Sequence, residues 1–181
     1  MSRGLEPGDL AVDFSLRNAN ITIGPESISL AEVATEVGGI VMFTCNHCPY
    51  VIGNESRIES IAQRAREQGI GFVGINSNDA VNYPTDDWNS MVSRAQKMSY
   101  PYLHDKSQET ALAWGAERTP EFYLIDANQI ITYRGRLDDS PKDPMLATTH
   151  ELSDAIDALI ADEVPEITRT ESIGCSVKWK M

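Results

Sequence analysis

The chain has 181 residues and a formal net charge of −12. An acidic surface disfavours the phosphates of nucleic acids and anionic membranes, so we expect neither as a partner. The length fits one domain over 1–181, with a tail over 165–181. No run of about 18 apolar residues is present and residues 1–9 lack an apolar signal segment, which predicts a cytoplasmic protein without a transmembrane helix.

The first half of the chain predicts an α/β pattern. Apolar pieces at 12–16 and 21–23 flank a turn-prone Asn-Ala-Asn, which favours a hairpin. Ser29 and Glu32 have the spacing of a capping box that opens a helix. The elements that follow are a helix to about residue 37, a buried strand over 40–44, a helix over 49–68 and a strand over 71–76.

The second half continues the alternation and closes with a β-hairpin. Its predicted elements are a helix over 88–98, a short strand at 102–103, a helix over 107–114, strands over 122–126 and 130–134, a helix over 149–160 and the irregular tail. Alternating strands and helices predict a central mixed β-sheet flanked by helices.

The chemistry points to Cys45-Asn46-His47-Cys48, which lies between a predicted strand and a predicted helix. Free N–H groups and the positive dipole end of a helix start both favour a thiolate, the species that attacks a disulfide or a peroxide. We expect Cys45, taken to be nearer the helix start, to attack and Cys48 to resolve the mixed disulfide. A protonated His47 would stabilise the thiolate, which predicts a centre less reducing than thioredoxin.

Two other interpretations of this cysteine pair remain open. The pair fits half of a metal site, and a copper carrier would use Cys45, Cys48 and His47. A structural zinc site needs about four ligands, whereas only Cys175 and three scattered histidines remain as further candidates. The two cysteines could also be an inert buried pair, because free cysteine often behaves as a small hydrophobe.

Three segments resemble the thioredoxin-like superfamily, within it the redoxin (AhpC/TSA) branch. They are the CxxC motif after a strand, Thr119-Pro120 before an apolar strand, and Gly8-Asp9 followed by Asp13-Phe14-Ser15-Leu16. A narrower resemblance is to an uncharacterised peroxiredoxin-like family that shares a CNHCPYV motif. That family also has runs similar to 133–139 and 174–180.

The resemblance implies a thioredoxin-like fold with an N-terminal hairpin extension. It also implies Cys45 and Cys48 as catalytic residues, without a bound cofactor, because the electrons reside in the thiols. The residues that it implies as supporting are Thr44, His47, Thr119 and Pro120, the last two joined by a cis peptide. Cys175 is either a resolving thiol on the tail or a spare cysteine packed beneath Trp179.

Two departures from the resemblance bear on function. Peroxiredoxins carry a threonine three residues before the peroxidatic cysteine, whereas Met42 holds that position before Cys45. Many relatives have a cysteine before the Thr-Pro pair, where this chain has Arg118, which would hold an anionic group or face solvent. The expected function is therefore a thiol–disulfide oxidoreductase acting on a disulfide-containing protein or a small thiol, with an unknown electron donor. A thiol peroxidase is the alternative.

Overall fold

The computed structural model describes residues 4–181, so the first three residues of the predicted domain lie outside the described residues. The strands are β1 (Ser15–Asn18), β2 (Ser27–Ser29), β3 (Gly38–Phe43), β4 (Gly71–Asn76), β5 (Tyr102–His104), β6 (Arg118–Thr119), β7 (Glu121–Asp126), β8 (Ile131–Gly135) and β9 (Cys175–Ser176). The helices are α1 (Leu30–Val33), α2 (Pro49–Ile52), α3 (Glu55–Glu67), α4 (Trp88–Ala95), α5 (Glu109–Trp114) and α6 (Glu151–Ile160), and two short 3₁₀ turns lie at Pro84–Asp86 and Pro144–Leu146.

Seven strands form one mixed sheet in the order β2-β1-β5-β4-β3-β7-β8. Strand β3 pairs parallel with β4 and antiparallel with β7, and β4 pairs parallel with β5. The central position of β3 places its carboxyl end in the middle of the sheet edge. This arrangement confirms the predicted thioredoxin-like α/β fold with a mixed sheet.

Both faces of the sheet are covered. All six residues of β3 are buried, and alternate residues belong to different core clusters, with Val41 and Phe43 in one and Ile40 and Met42 in the other. Successive side chains of a strand point to opposite faces, so two separate layers pack against this strand. A strand buried on both faces has the continuous apolar sequence that predicted it.

The N-terminal hairpin is present, but its second strand lies later than predicted. Strand β1 pairs antiparallel with β2 at Ser27–Ser29, whereas the predicted second strand at 21–23 is part of the connecting loop. The buried amide of Asn18 explains the loop, because it donates hydrogen bonds to the carbonyl oxygens of Asn20, Ile23 and Pro25. One side chain thus satisfies three backbone acceptors that strand pairing would otherwise use.

The helix predicted over 49–68 is two helices, α2 and α3. The break falls at Gly53 and Asn54, where the buried Asn54 amide donates to the carbonyl oxygen of Tyr50 at 2.5 Å. Side-chain hydrogen bonds of asparagine to nearby backbone compete with helix continuation. The break separates the turn that carries the cysteine motif from the longer helix behind it.

The tail is irregular apart from β9 and an isolated bridge between Arg169 and Arg134. Strand β9 pairs antiparallel with β6 in a two-stranded sheet of its own. No helix within residues 4–181 combines the length and hydrophobicity needed to cross a bilayer.

Candidate redox site

The cysteine motif and the Thr119–Pro120 loop face each other beyond the carboxyl end of β3. Cys45 and Cys48 are buried, with exposures of 2% and 4%. The Cys45 Sγ lies 3.4 Å from the Thr119 hydroxyl oxygen, and the Cys48 Sγ lies 3.5 Å from the Thr119 carbonyl oxygen. The Thr119–Pro120 peptide bond is cis, as the resemblance implied. The structure therefore brings together four of the residues expected at the site.

Hydrogen bonds to sulfur distinguish the two cysteines. The hydrogen bond from the Cys45 side chain is the largest influence on Cys48 and, against the effect of burial, helps to lower the Cys48 pKa to about 4. The Cys175 side chain and the N–H groups of Cys175 and Tyr50 lower it further. The same Cys45–Cys48 hydrogen bond raises the pKa of Cys45, and burial adds to this effect. The interaction between the two side chains therefore lowers the pKa of Cys48 and raises that of Cys45.

This geometry corrects one expectation. Cys48, not Cys45, is the N-cap of α2, with Pro49 in the first helical turn. The expectation that Cys45 lies nearer the helix start is therefore wrong. Asp86 adds a negative charge that raises the pKa of Cys45. Both observations favour Cys48 as the nucleophile of the pair.

The other expected supporting residues act at a greater distance from the sulfur atoms. The half-exposed His47 ring has its Nδ1 2.8 Å from the Thr85 hydroxyl oxygen and 3.6 Å from an Asp86 carboxylate oxygen. Thr44 is buried, and its N–H donates to the Ile75 carbonyl oxygen, which extends the β3–β4 pairing to the motif. Arg118 is exposed and its guanidinium donates to the Gly174 carbonyl oxygen at 3.2 Å, so it binds the tail.

A buried polar network behind the motif was missed by sequence reasoning. The fully buried Asp86 carboxylate accepts hydrogen bonds from the Asn46 N–H at 2.8 Å, the Asn76 amide at 2.9 Å and the Asn78 amide at 3.0 Å. The Tyr102 hydroxyl donates to the Asn46 side chain at 2.6 Å. The only sequence signal was the Asn- and Asp-rich segment over 77–87, which resembles an ordinary loop. The network fixes Asn46 and with it the spacing of the two cysteines.

A buried ion pair holds the loop on the opposite side of the cysteines. Glu121 accepts hydrogen bonds from the N–H groups of Glu117 and Arg118 through one carboxylate oxygen, and from the Arg134 guanidinium at 2.9 Å through the other. Both side chains of the Glu121–Arg134 pair are nearly inaccessible to solvent. Part of the 133–139 run therefore positions the Thr119–Pro120 loop.

Cys175 lies at the same site. It is half-buried and packs against the cluster formed by Cys45, Cys48 and Val51. Burial, followed by the interaction with the Cys48 side chain, raises the pKa of Cys175 to about 11. Within residues 4–181, the structure shows no group of three or more His, Cys, Asp or Glu side chains arranged to hold a metal ion.

Comparison with protein families matches residues 6–155 to the model named Redoxin. The chain belongs to the redoxin family. Among solved structures, this redoxin is similar to an uncharacterized conserved protein from Geobacillus kaustophilus, at 37% identity and a TM-score of 0.90, covering 99% of this chain and 95% of that one. A hypothetical protein from Sinorhizobium meliloti is 33% identical with a TM-score of 0.88, covering 99% and 97%.

More distant structures share the fold alone. A secreted disulfide oxidoreductase of Mycobacterium tuberculosis, homologous to E. coli DsbE, is 15% identical with a TM-score of 0.56, covering 82% of this chain and 95% of that one. The comparison with curated proteins found no match. The comparisons thus establish a redoxin with a thioredoxin-like fold.

Proposed function

We propose that this redoxin is a thiol–disulfide oxidoreductase whose redox centre is the Cys45/Cys48 dithiol. The observation that carries the proposal is the placement of both buried sulfur atoms against Thr119 of the cis Thr119–Pro120 loop, 3.4 Å from its hydroxyl oxygen for Cys45 and 3.5 Å from its carbonyl oxygen for Cys48. The interaction with the Cys45 side chain also lowers the pKa of Cys48. The thiolate is the nucleophile in disulfide exchange, so a lowered pKa of one cysteine in the pair favours attack on a substrate disulfide. A merely structural pair needs no such stabilised thiolate.

The proposed reaction transfers two electrons and needs no bound cofactor. The Cys48 thiolate attacks one sulfur of a substrate disulfide, forms a mixed disulfide and releases the other substrate sulfur as a thiolate. Cys45 then loses its proton and attacks the Cys48 sulfur, which forms the Cys45–Cys48 disulfide and releases the second substrate thiolate. The substrate disulfide is reduced and the protein dithiol is oxidised.

The proposed substrate is a disulfide-containing protein or a small thiol compound, and the electron donor is unknown. We place the activity in the cytoplasm, because three cysteines are few for a secreted disulfide scaffold. The secreted oxidoreductase of the same fold makes cell fractionation the direct check of this placement.

Disulfide mapping across a series of glutathione redox buffers tests the proposal. The protein is equilibrated in each buffer, its thiols are trapped with acid and alkylation, and its peptides are identified by mass spectrometry. We expect a reversible Cys45–Cys48 disulfide in the wild-type protein, and in Cys45→Ser we expect alkylation of Cys48 at neutral pH. A wild-type protein with no reversible bond between these residues would refute the oxidoreductase.

The same preparation tests the alternatives. A peroxidase would react with hydrogen peroxide far faster than a free thiol does, and the fully buried apolar Met42 stands where peroxiredoxins have their threonine hydroxyl. A copper carrier would retain a stoichiometric ion after anaerobic purification. Either result would replace the oxidoreductase with that alternative.

A further inference from the structure

The tail lies across the redox site as an added strand. In the register of β9 on β6, Cys175 is opposite Thr119, and the Val177 N–H donates to the Glu117 carbonyl oxygen at 3.0 Å. Thr119 is the same residue whose hydroxyl and carbonyl oxygens lie beside the sulfur atoms of Cys45 and Cys48. Backbone pairing with an exposed edge is how extended peptides are recognised by sheets. The tail therefore occupies the edge on which a substrate peptide would have to lie.

The tail is also anchored beyond β9. The Lys178 carbonyl oxygen accepts from the Asp79 N–H at 2.8 Å and from the Gln108 amide at 2.9 Å, and the Lys178 N–H donates to the Asn78 side chain at 2.9 Å. The Lys180 N–H donates to the Gln108 side chain at 2.9 Å. These bonds hold the backbone on both sides of the site. They hold the tail over the site in the resting protein.

Docking the tail leaves the three cysteines with unequal access to solvent. Cys45 and Cys48 are buried, whereas Cys175 is partly exposed and packs against the cluster that contains both of them. An external thiol must reach a sulfur atom directly, because disulfide exchange proceeds by attack of sulfur on sulfur. With the tail in place, Cys175 is the most exposed cysteine of the cluster.

We propose that Cys175 is the surface exchange residue of a three-cysteine relay, through which external thiols exchange electrons with the buried Cys45/Cys48 pair. This inference rests on the proposed function. It assigns to the tail a catalytic thiol that contacts the reacting sulfur atom of Cys48.

The relay balances as a sequence of disulfide exchanges. Starting from the Cys45–Cys48 disulfide, the Cys175 thiolate attacks the Cys48 sulfur, forms a Cys48–Cys175 disulfide and releases Cys45 as a thiolate that takes up a proton. An external thiolate then attacks Cys175 and releases the Cys48 thiolate. A second external thiolate attacks the bound external sulfur, which frees Cys175 and leaves an external disulfide. Two external thiols are oxidised, and the Cys45/Cys48 dithiol is restored.

The pKa of Cys175 changes between the steps of the relay in the direction that the relay needs. In the reduced protein, the pKa of Cys175 is raised first by burial and then by the side chain and charge of Cys48. The positive charge of Lys178 lowers it. Once Cys48 is bonded to Cys45, its thiolate charge and its acceptor are gone. The Cys175 thiolate then forms more readily, at the stage when the relay needs it as a nucleophile.

The test compares full-length wild-type protein with Cys175→Ser and the control Ser176→Ala, which changes an exposed side chain on the same strand. Each folded variant is oxidised, and the rate at which reduced glutathione opens the Cys45–Cys48 disulfide is measured by quenching and mass spectrometry. We expect Cys175→Ser to slow this rate by about tenfold or more, because the accessible sulfur is lost, while Ser176→Ala matches the wild type.

Cys45→Ser provides an independent arm, because it removes the competing partner of Cys48. Mild oxidation of this variant with oxidised glutathione is expected to give an intramolecular Cys48–Cys175 disulfide as the main product. A Cys48–glutathione mixed disulfide with Cys175 free would overturn the relay.

The outcomes separate the two proposals. If the wild type forms the Cys45–Cys48 disulfide and Cys175→Ser opens it within twofold of the wild-type rate, the relay is refuted and the oxidoreductase stands. If the wild type forms no Cys45–Cys48 disulfide at all, the proposed function fails, and the relay fails with it.

Discussion

Replacing Gly174 with alanine is predicted to release the tail from the redox site. A Cβ on Gly174 would lie 2.0 Å from the Thr119 carbonyl oxygen and 2.6 Å from the Thr119 carbonyl carbon, and both of these are backbone atoms. Ordinary contact requires roughly 3.4 Å, so the strands must separate by about 1 Å or more. Such a shift takes the 3.0 Å bond between the Val177 N–H and the Glu117 carbonyl oxygen out of hydrogen-bonding range.

The expected magnitude follows from the bonds lost. One or two backbone hydrogen bonds at about 1 kcal/mol each correspond to an increase of roughly 5- to 30-fold in the undocked population of the tail. Labelling of a buried group tracks the population of the open form when opening and closing are fast. The rate of Cys48 alkylation in the reduced protein should therefore rise by the same factor.

The assay is pulse alkylation of reduced Gly174→Ala with iodoacetamide, with peptide mass spectrometry to quantify Cys48. Ser176→Ala is the matched control, because it keeps Gly174 and alters an exposed side chain on the same strand. A labelling rate of Cys48 within twofold of the wild type, in a Gly174→Ala protein that is otherwise folded, would show that the tail does not cover the thiolate.

Three further predictions concern the pair and its surroundings. The rate of Cys48 alkylation in the reduced protein should be independent of pH around neutrality and fall to half near pH 4, because the Cys48 pKa is lowered from 9.0 to about 4. The thiolate therefore contributes to the stability of the reduced fold above about pH 9, and this contribution is lost as the pH falls towards 4. Asp86→Asn should lower the free energy of unfolding by about 1–3 kcal/mol, because an NH2 donor replaces one of the two carboxylate oxygens that accept from the Asn46 N–H and the Asn76 and Asn78 amides, and at least one buried donor loses its acceptor. The wild-type reduction potential should lie near roughly −180 to −120 mV, and His47→Ala should shift it towards the thioredoxin value of about −270 mV.

Each of these predictions has its own control. Alkylation with a midpoint near pH 9 would show that Cys48 carries no stabilised thiolate. Denaturant unfolding of Asp154→Asn, which changes an exposed carboxylate on α6, should stay within about 0.5 kcal/mol of the wild type. An equal loss in both variants would mean that Asp86 is not a special acceptor. An unchanged potential in His47→Ala would leave His47 as a solvent-facing side chain.

The order of the elements was predictable because periodicity and turn residues are local properties of the chain. The β3 run is apolar throughout, and Gly115, at a φ of 75°, ends α5 where the sequence predicted a stop. The errors fall where an asparagine side chain hydrogen-bonds to backbone groups a few residues away and changes the course of the chain. Asn18 moved the second hairpin strand, and Asn54 divided the helix after the cysteine motif.

By itself the sequence determined the fold class and marked Cys45 and Cys48 as candidate site residues, because a strand, a CxxC motif and a Thr-Pro pair are contiguous signals. Only the tertiary structure decided that Asp86 lies buried behind the motif and that Cys175 reaches the pair. Both facts depend on contacts between segments distant in the chain: Asp86 is 40 residues from Asn46. Patterns of neighbouring residues do not predict such contacts, because the contacts form only when folding of the sheet brings the distant segments together.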